Sequence, residues 1–292
     1  MTASIFQFAV SGILVGSLYS LVSLAIVLVY KATHVFNFAT GSMIVFTSFL
    51  IWTMIGLGLP LWLAILVSIA FSYIFGLLLE WLVLRPLIGQ PLIGSLMATL
   101  ALTELLRGLI IMIFSAHEFH LGYHIFPPIV KKIGPVFISP ALFGGFVLCT
   151  ICLIALILFF RYSPKGLSMR ATADGHYIAQ SVGIRVSTVF SVTWGIAGVI
   201  CAMAGLALMD RIGFSIVQTP SVVIFCFAAV LMGGLDSVPG AILGGIIVGL
   251  VSNLASGLIS SQVGMLMPYI VLMVVILVRP EGIWGLKRIE RI

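Results

Sequence analysis

Apolar runs of roughly 20 residues recur along almost the whole sequence, the length an α-helix needs to cross a hydrocarbon layer about 30 Å thick. They stand at about 6–29, 37–58, 61–84, 92–114, 140–160, 188–209 and 265–279, with an interrupted apolar region at 220–258. Hydrophobic residues make up 62% of the chain and charged residues 8%, too little polar surface to coat a water-soluble globule. Within each run the apolar residues occupy every face, whereas a membrane β-barrel needs short segments alternating apolar and polar. The sequence therefore specifies an all-α fold, a polytopic transmembrane helical bundle of about 8 spans in a single domain over residues 1–292. The first run exceeds a signal-peptide core, lacks a preceding basic cluster and reads as a retained helix.

Charge sets the expected orientation. The net charge is +6, but the basic residues are scattered between spans and form no aromatic-interleaved face, which argues against nucleic acid as a partner. Arg161, Lys165, Arg170 and Arg185 fall in the polar segment 161–187, and Lys287, Arg288 and Arg291 follow the last span. Basic loops stay in the cytoplasm, so both segments are assigned there. Parity then puts Arg85, Lys31 and His34 inside, and the N-terminus and the 115–139 loop outside, with Lys131 and Lys132 as one violation.

The region 220–258 is bounded by Pro220 and broken by the run from Gly233 to Gly240, so it reads as half-helices or a re-entrant hairpin. Irregular backbone at membrane depth persists only where it is buried in protein or lines a cavity, and discontinuous helices point to a transport pathway. A span at 6–29, a polar break and a helix opening at Asn37 are echoed by a span at 188–209, a break and a helix opening at Pro220. Under the parity above the two units run in opposite directions, as in an inverted repeat.

Chemistry-bearing clusters are few. No nucleotide-binding G-x-x-x-x-G-K-[ST] motif occurs, nor a catalytic constellation, so the chain reads as a non-enzyme that binds no cofactor of its own. Cys149, Cys152, Cys201 and Cys226 lie in apolar runs and read as packing residues. Glu104 falls midway along the fourth span, where an unpaired charge costs about 2.5–3.5 kcal/mol. With Arg107 three residues on, it reads either as a structural ion pair or as part of a pathway. Glu80 reads as a capping or loop-anchoring charge at the inner interface. His117, Glu118, His120 and His124 are spaced to coordinate a metal, yet without regular structure to hold them the loop reads rather as an external docking surface or as an unengaged loop. Glycines such as Gly244, Gly245 and Gly249 suit close helix packing. A sharper possibility is that Asn37, Thr40, Gly41 and Ser42, and again Ser237 to Gly240, open half-helices whose N–H groups face a carboxylate.

The polar segment reads as two short helices. Ser163 caps the first with Pro164 in its first turn, Asp174 and Gly175 form the turn, and Gly183 ends the second. Leu167, Ala171, Ile178, Ala179 and Val182 give them greasy sides too small for an independent core. The segment is then either a solvated loop on the membrane surface or a docking element for a soluble partner.

The order of Arg85-Pro86-Leu87, Gly166-Leu-Ser-Met-Arg170-Ala171, Ala179-x-x-x-Gly183-Ile184, Gly233-Gly234-x-x-x-x-Pro239-Gly240-Ala241 and Val278-Arg279-Pro280-Glu281-Gly282 resembles the branched-chain amino acid permease family of ABC importers. The resemblance extends over the chain and is to the first of that family's two permease subunit types. Asn37-Phe38-Ala39-Thr40-Gly41 is similar to the family's Asn-Phe-Ala-His-Gly segment, with Thr40 for the frequent His and Ser42 where Glu is common.

The resemblance implies a multi-pass subunit of the cell inner (plasma) membrane that forms the translocation pathway for branched-chain or related amino acids. It also implies partners: a second permease subunit, identical or different, two cytoplasmic ATPase subunits carrying ATP and Mg, an extracytoplasmic substrate-binding protein, and lipid. Lys165, Gly166, Arg170, Ala171, Asp174, Ala179 and Gly183 would belong to the coupling loop on the ATPase. Urea, short amides and aromatic or other carboxylates are alternative substrates, and an ion-coupled secondary transporter is the competing class.

Overall fold

In hydrocarbon, apolar side chains gain nothing by leaving lipid for protein, so helices associate through close packing and through polar groups that need partners. The computed structural model, which describes residues 2–114, 131–133, 136–212 and 219–285, is organised around such contacts. Helix α1 (Thr2–Thr33) is nearly enclosed by its neighbours. It is followed by the short α2 (Thr40–Gly56), by α3 (Leu61–Leu79) and by α4 (Leu92–Phe114). Helix α3 continues through a π-helical turn at Glu80–Leu84 and a 3₁₀ turn at Arg85–Leu87, where Pro86 ends helical hydrogen bonding.

A two-stranded antiparallel ribbon, β1 (Lys131–Ile133) with β2 (Val136–Ile138), precedes α5 (Pro140–Tyr162). The sequence reading had placed no strand there. Two short helices follow, α6 (Pro164–Asp174) and α7 (His176–Ser181), and then a second enclosed helix, α8 (Val186–Ile212). The chain continues through α9 (Thr219–Gly233), α10 (Val238–Leu258) and α11 (Ser261–Val278). Among the described residues seven helices are long and apolar enough to cross a membrane, and α2 and α9 are shorter apolar helices. The break expected within 220–258 falls between α9 and α10. Only α9 has the length of a partial helix, because α10 runs 21 residues without interruption.

The most extensive helix pair is made by glycine. On α1, Gly12, Gly16 and Ser20 face Gly245 and Gly249 of α10, backbone against backbone. Ser20 Oγ also donates to the Ile242 carbonyl at 2.7 Å. On α3, Ser72 and Gly76 meet Trp194, Gly195 and Gly198 of α8 in the same way. These contacts relate the two halves of the chain. The third helix of each four-helix unit, α3 or α10, packs on the first helix of the other, and α2 packs on α8 as α9 packs on α1. That exchange of partners is what an inverted repeat produces.

The two ends of the bundle are closed differently. At one end, Gln7 near the start of α1 exchanges two hydrogen bonds with Phe137 of β2, at 2.7 and 2.8 Å. At the other, Lys31, Arg161 and Arg170 line one cleft with the start of α10. A second cleft at that end joins the turn after Arg85 to α7 and the start of α8. The segment after α11 bonds there too, Ile283 N–H to Met232 O and Trp284 N–H to Gly233 O, at 2.8 and 3.1 Å. Of the basic residues assigned to one side by sequence, Lys31, Arg161 and Arg170 are thus gathered at one end.

Candidate functional site

At the basic end, α6 and α7 lie against the ends of the spans. Gly166 rests on the backbone of Phe159 and Phe160, which holds α6 against α5. Met169 packs on Val189 and Val192 of α8, and Ala179 packs on Val186 and Phe190. His176 Nε2 lies 3.1 Å from the Ala32 carbonyl, its ring edge-on to Phe190, which ties α7 to the ends of α1 and α8. Gly183 adopts φ +85° with its N–H bonded to Gln180 O, and Ile184 N–H returns to Ala179 O, closing the α7 terminus.

The seven residues named for coupling therefore divide. Gly166 and Ala179 are buried and anchor the segment, Ala171 is partly buried, Gly183 shapes the turn, and Lys165 and Arg170 are exposed. Asp174 ends α6. The outer surface carries Leu167, Tyr177, Ile178 and Val182, with Tyr177 89% exposed. The segment is attached to the spans on one side and carries exposed apolar groups on the other.

A second feature lies inside the bundle. After α1 ends, His34 takes φ +55° and residues 35–39 turn back into the protein before α2 begins. Thr99 Oγ1, roughly 10 Å along α4 from its start, donates to the Phe36 carbonyl at 3.0 Å. Ser42 Oγ donates to the Thr103 carbonyl at 3.0 Å, near the middle of α4. Helix α2 thus starts at membrane depth. Its irregular lead-in is satisfied by side chains: Thr33 Oγ1 accepts from Val35 N–H, Asn37 Oδ1 accepts from Ala39 N–H, and Thr40 Oγ1 donates to Asn37 O.

Asn37, Thr40, Gly41 and Ser42 are all buried, so their polar groups hold the re-entrant backbone rather than facing open space. Gly41 lies against Val223, whereas Gly240 lies against Gly233, ten residues further along α9. The two helix openings are thereby separated by about 15 Å along that axis. At α10, Ser237 Oγ already accepts the Gly240 N–H at 3.0 Å. Three rings cluster beside the α2 opening, Phe36, Phe38 and Phe227, with centroids 5.2–5.4 Å apart and partly exposed.

Two carboxylates contrast. Glu80 is fully buried in the π turn, and Ser191 of α8 donates to its Oε2 at 2.6 Å, while Oε1 has no partner. It ties two helices together rather than capping one. Glu104 pairs loosely with Arg107 at 3.8 Å, and its side chain is 71% exposed. No group of three or more His, Cys, Asp or Glu among the described residues could hold a metal. The His117, Glu118, His120 and His124 loop and the tail Lys287, Arg288 and Arg291 lie outside the described residues, and the cysteines that are described carry free thiols.

Residues 8–276 match the family of branched-chain amino acid transport system permease components. The chain belongs to this family. The permease is 27% identical to BraD of Pseudomonas aeruginosa, a high-affinity branched-chain amino acid transport system permease protein, over 98% of this chain and 97% of that one. It is 24% identical to LivH of Escherichia coli, a permease protein of the same kind of system, over 97% and 96%. A probable branched-chain amino acid transport permease protein, LivH of Methanocaldococcus jannaschii, is 27% identical over 96% and 93%. Sequence reasoning missed two parts of the permease: the exposed ring of Tyr177, and the rings of Phe36, Phe38 and Phe227. Phe227 lies far along the chain from Phe36 and Phe38, and the re-entrant segment brings them together.

Proposed function

We propose that the permease is the pore-forming subunit of an ATP-driven importer of branched-chain amino acids. The substrate class is supported by the kinship to permeases of branched-chain amino acid systems and by the three phenyl rings beside the α2 opening, an apolar wall at membrane depth. Energy comes from two cytoplasmic ATPase subunits binding ATP and Mg, since this chain carries no phosphate-binding loop. A second permease subunit completes the pore, and an extracytoplasmic binding protein delivers the substrate.

The chain is a multi-pass protein of the cell inner membrane, with the basic end in the cytoplasm, the N-terminus outside and the C-terminus inside. Substrate passes along a route bordered by the re-entrant segment from Asn37 to Ser42 and by Glu104. Helices α6 and α7 sit on the ATPase through Leu167, Tyr177, Ile178 and Val182, with Lys165 and Arg170 as flanking cations. Because Ala179 and Met169 fasten this lever to α8, its displacement moves an enclosed span and so opens the route to alternate sides.

The observation that carries this reading is the pair of short helices with one buried and one exposed apolar face at the basic end. Tyr177→Ala combined with Ile178→Asp leaves the bundle untouched. In purified complexes it is expected to cut ATPase recovery and leucine uptake more than tenfold. Full ATPase recovery by the variant would reject this contact surface, and uptake by the chain alone in liposomes under an ion gradient would reject the ATP-driven reading in favour of a secondary transporter.

A further inference from the structure

One cleft at the basic end is apolar inside and positive at its rim. It has a volume of about 480 Å³, within the range of small-molecule sites, and lies between α1, α5, α6 and the start of α10. Leu28, Ile157, Phe160 and Met169 form its walls, together with Val238 and Pro239. Thr193 adds a hydroxyl that is already spent, donating to the Val189 carbonyl at 2.7 Å. The charged residues that border the cleft are Lys31, Arg161 and Arg170, all cations. Among the described residues none of the three makes an ion pair. Like charges gathered about one hollow repel one another until an anion joins them.

The cleft runs into the exposed apolar side of the bundle. On α5, Ile154, Ile157 and Arg161 stand three and then four residues apart, so they share one face of the helix. Both isoleucines are half exposed, and Ile157 belongs to the cleft wall as well. Arg161 lies in the last turn of α5, its guanidinium 5.4 Å from the centre of the exposed Tyr162 ring. Tyrosine and arginine at a span end mark the headgroup level of a bilayer. A molecule in this cleft thus meets hydrocarbon on one side and cations at headgroup level on the other.

We propose that this cleft binds an anionic phospholipid of the cytoplasmic leaflet, its phosphate held by Lys31 and Arg161 with Arg170 beside them, and an acyl chain lying along Ile157 and Ile154. Basic pockets between spans on the cytoplasmic side suit such headgroups. A branched-chain amino acid would bring an ammonium, and among the described residues no carboxylate borders the cleft to receive it. Free phosphate would leave the apolar walls uncovered, and a choline headgroup would set a further cation among three. Because the walls come from four helices, a lipid seated here braces α6 against α1, α5 and α10.

Native mass spectrometry of the permease, purified with the subunits that accompany it, tests this. Phosphatidylglycerol and phosphatidylcholine with the same acyl chains are titrated into the delipidated protein. The first is expected to bind about thirtyfold more tightly, the gain that two cations supply. Lys31→Gln with Arg161→Gln should abolish the preference, Lys31→Arg with Arg161→Lys should keep it, and millimolar inorganic phosphate should not displace the lipid. Equal affinity for the two lipids, loss of the preference in both double variants alike, its survival in the glutamine variant, or displacement by phosphate would each overturn the site. A benzophenone amino acid at Ile157 of the otherwise unaltered protein, irradiated in native membranes, should yield a phospholipid adduct; a protein adduct instead would mean that a polypeptide fills the cleft and the lipid site is wrong.

Discussion

Adding one methyl group at Gly16 should pry apart the most extensive helix pair in the permease. A Cβ built there lies 2.7 Å from Ile246 Cα, 2.8 Å from Gly245 O and 2.9 Å from Ile246 O. All three are backbone atoms of α10, so no rotamer change relieves the clash. Ordinary carbon contacts lie at about 3.5–4.0 Å, which requires α1 and α10 to separate locally by about 1 Å. A gap of that size forfeits roughly a quarter to a half of the dispersion well for each contact around it. Overpacking of this kind costs about 1–3 kcal/mol, or about 5–150-fold in the folding equilibrium. Gly56→Ala supplies the control, because nothing stands within 4 Å of that position. Thermal unfolding of detergent-solubilised Gly16→Ala, read by thiol labelling of the buried Cys201 and Cys226, should shift down by several degrees while Gly56→Ala stays within error. Equal behaviour of the two variants would refute the claim that backbone contact between α1 and α10 holds the bundle.

Other perturbations address separate joints. Ser191→Ala removes the hydrogen bond that the described residues make to the buried Glu80 carboxyl, so it should destabilise by about 1.5–3 kcal/mol and more than Glu80→Gln, which keeps a partner for Ser191; the reverse order in a denaturation series would contradict that tie. Thr99→Val deprives the Phe36 carbonyl of its interhelical donor at membrane depth, a loss of about 1–3 kcal/mol that should lower leucine uptake together with stability. Gly183→Ala meets no neighbour and is strained only by φ +85°, so it should cost about 1 kcal/mol. Hydrogen exchange should speed up in residues 176–184 alone.

Much of the fold was legible in the sequence because membrane solvation is a one-dimensional constraint. Each span had to be apolar for about 20 residues and the basic residues between spans had to lie near an end, so span positions and the gathering of Lys31, Arg161 and Arg170 could be read residue by residue. The breaks at 34–39 and 234–237 and the glycine-rich stripes were visible for the same reason: they interrupt a pattern that hydrocarbon otherwise enforces.

What each polar or small residue touches was decided only in three dimensions. Asn37, Thr40 and Ser42 have the chemistry to face a substrate, yet the re-entrant backbone uses them first, because carbonyls and N–H groups at that depth have no water to turn to. Ala179 and Tyr177 stand two residues apart on α7, and the packing of α7 on α8 buries one and exposes the other. Likewise Gly108 and Gly249 are the same residue in similar helices, but one meets a backbone and the other open space. Sequence fixes how deep a residue sits in the bilayer; which neighbour it meets around the helix depends on how the two halves interlock.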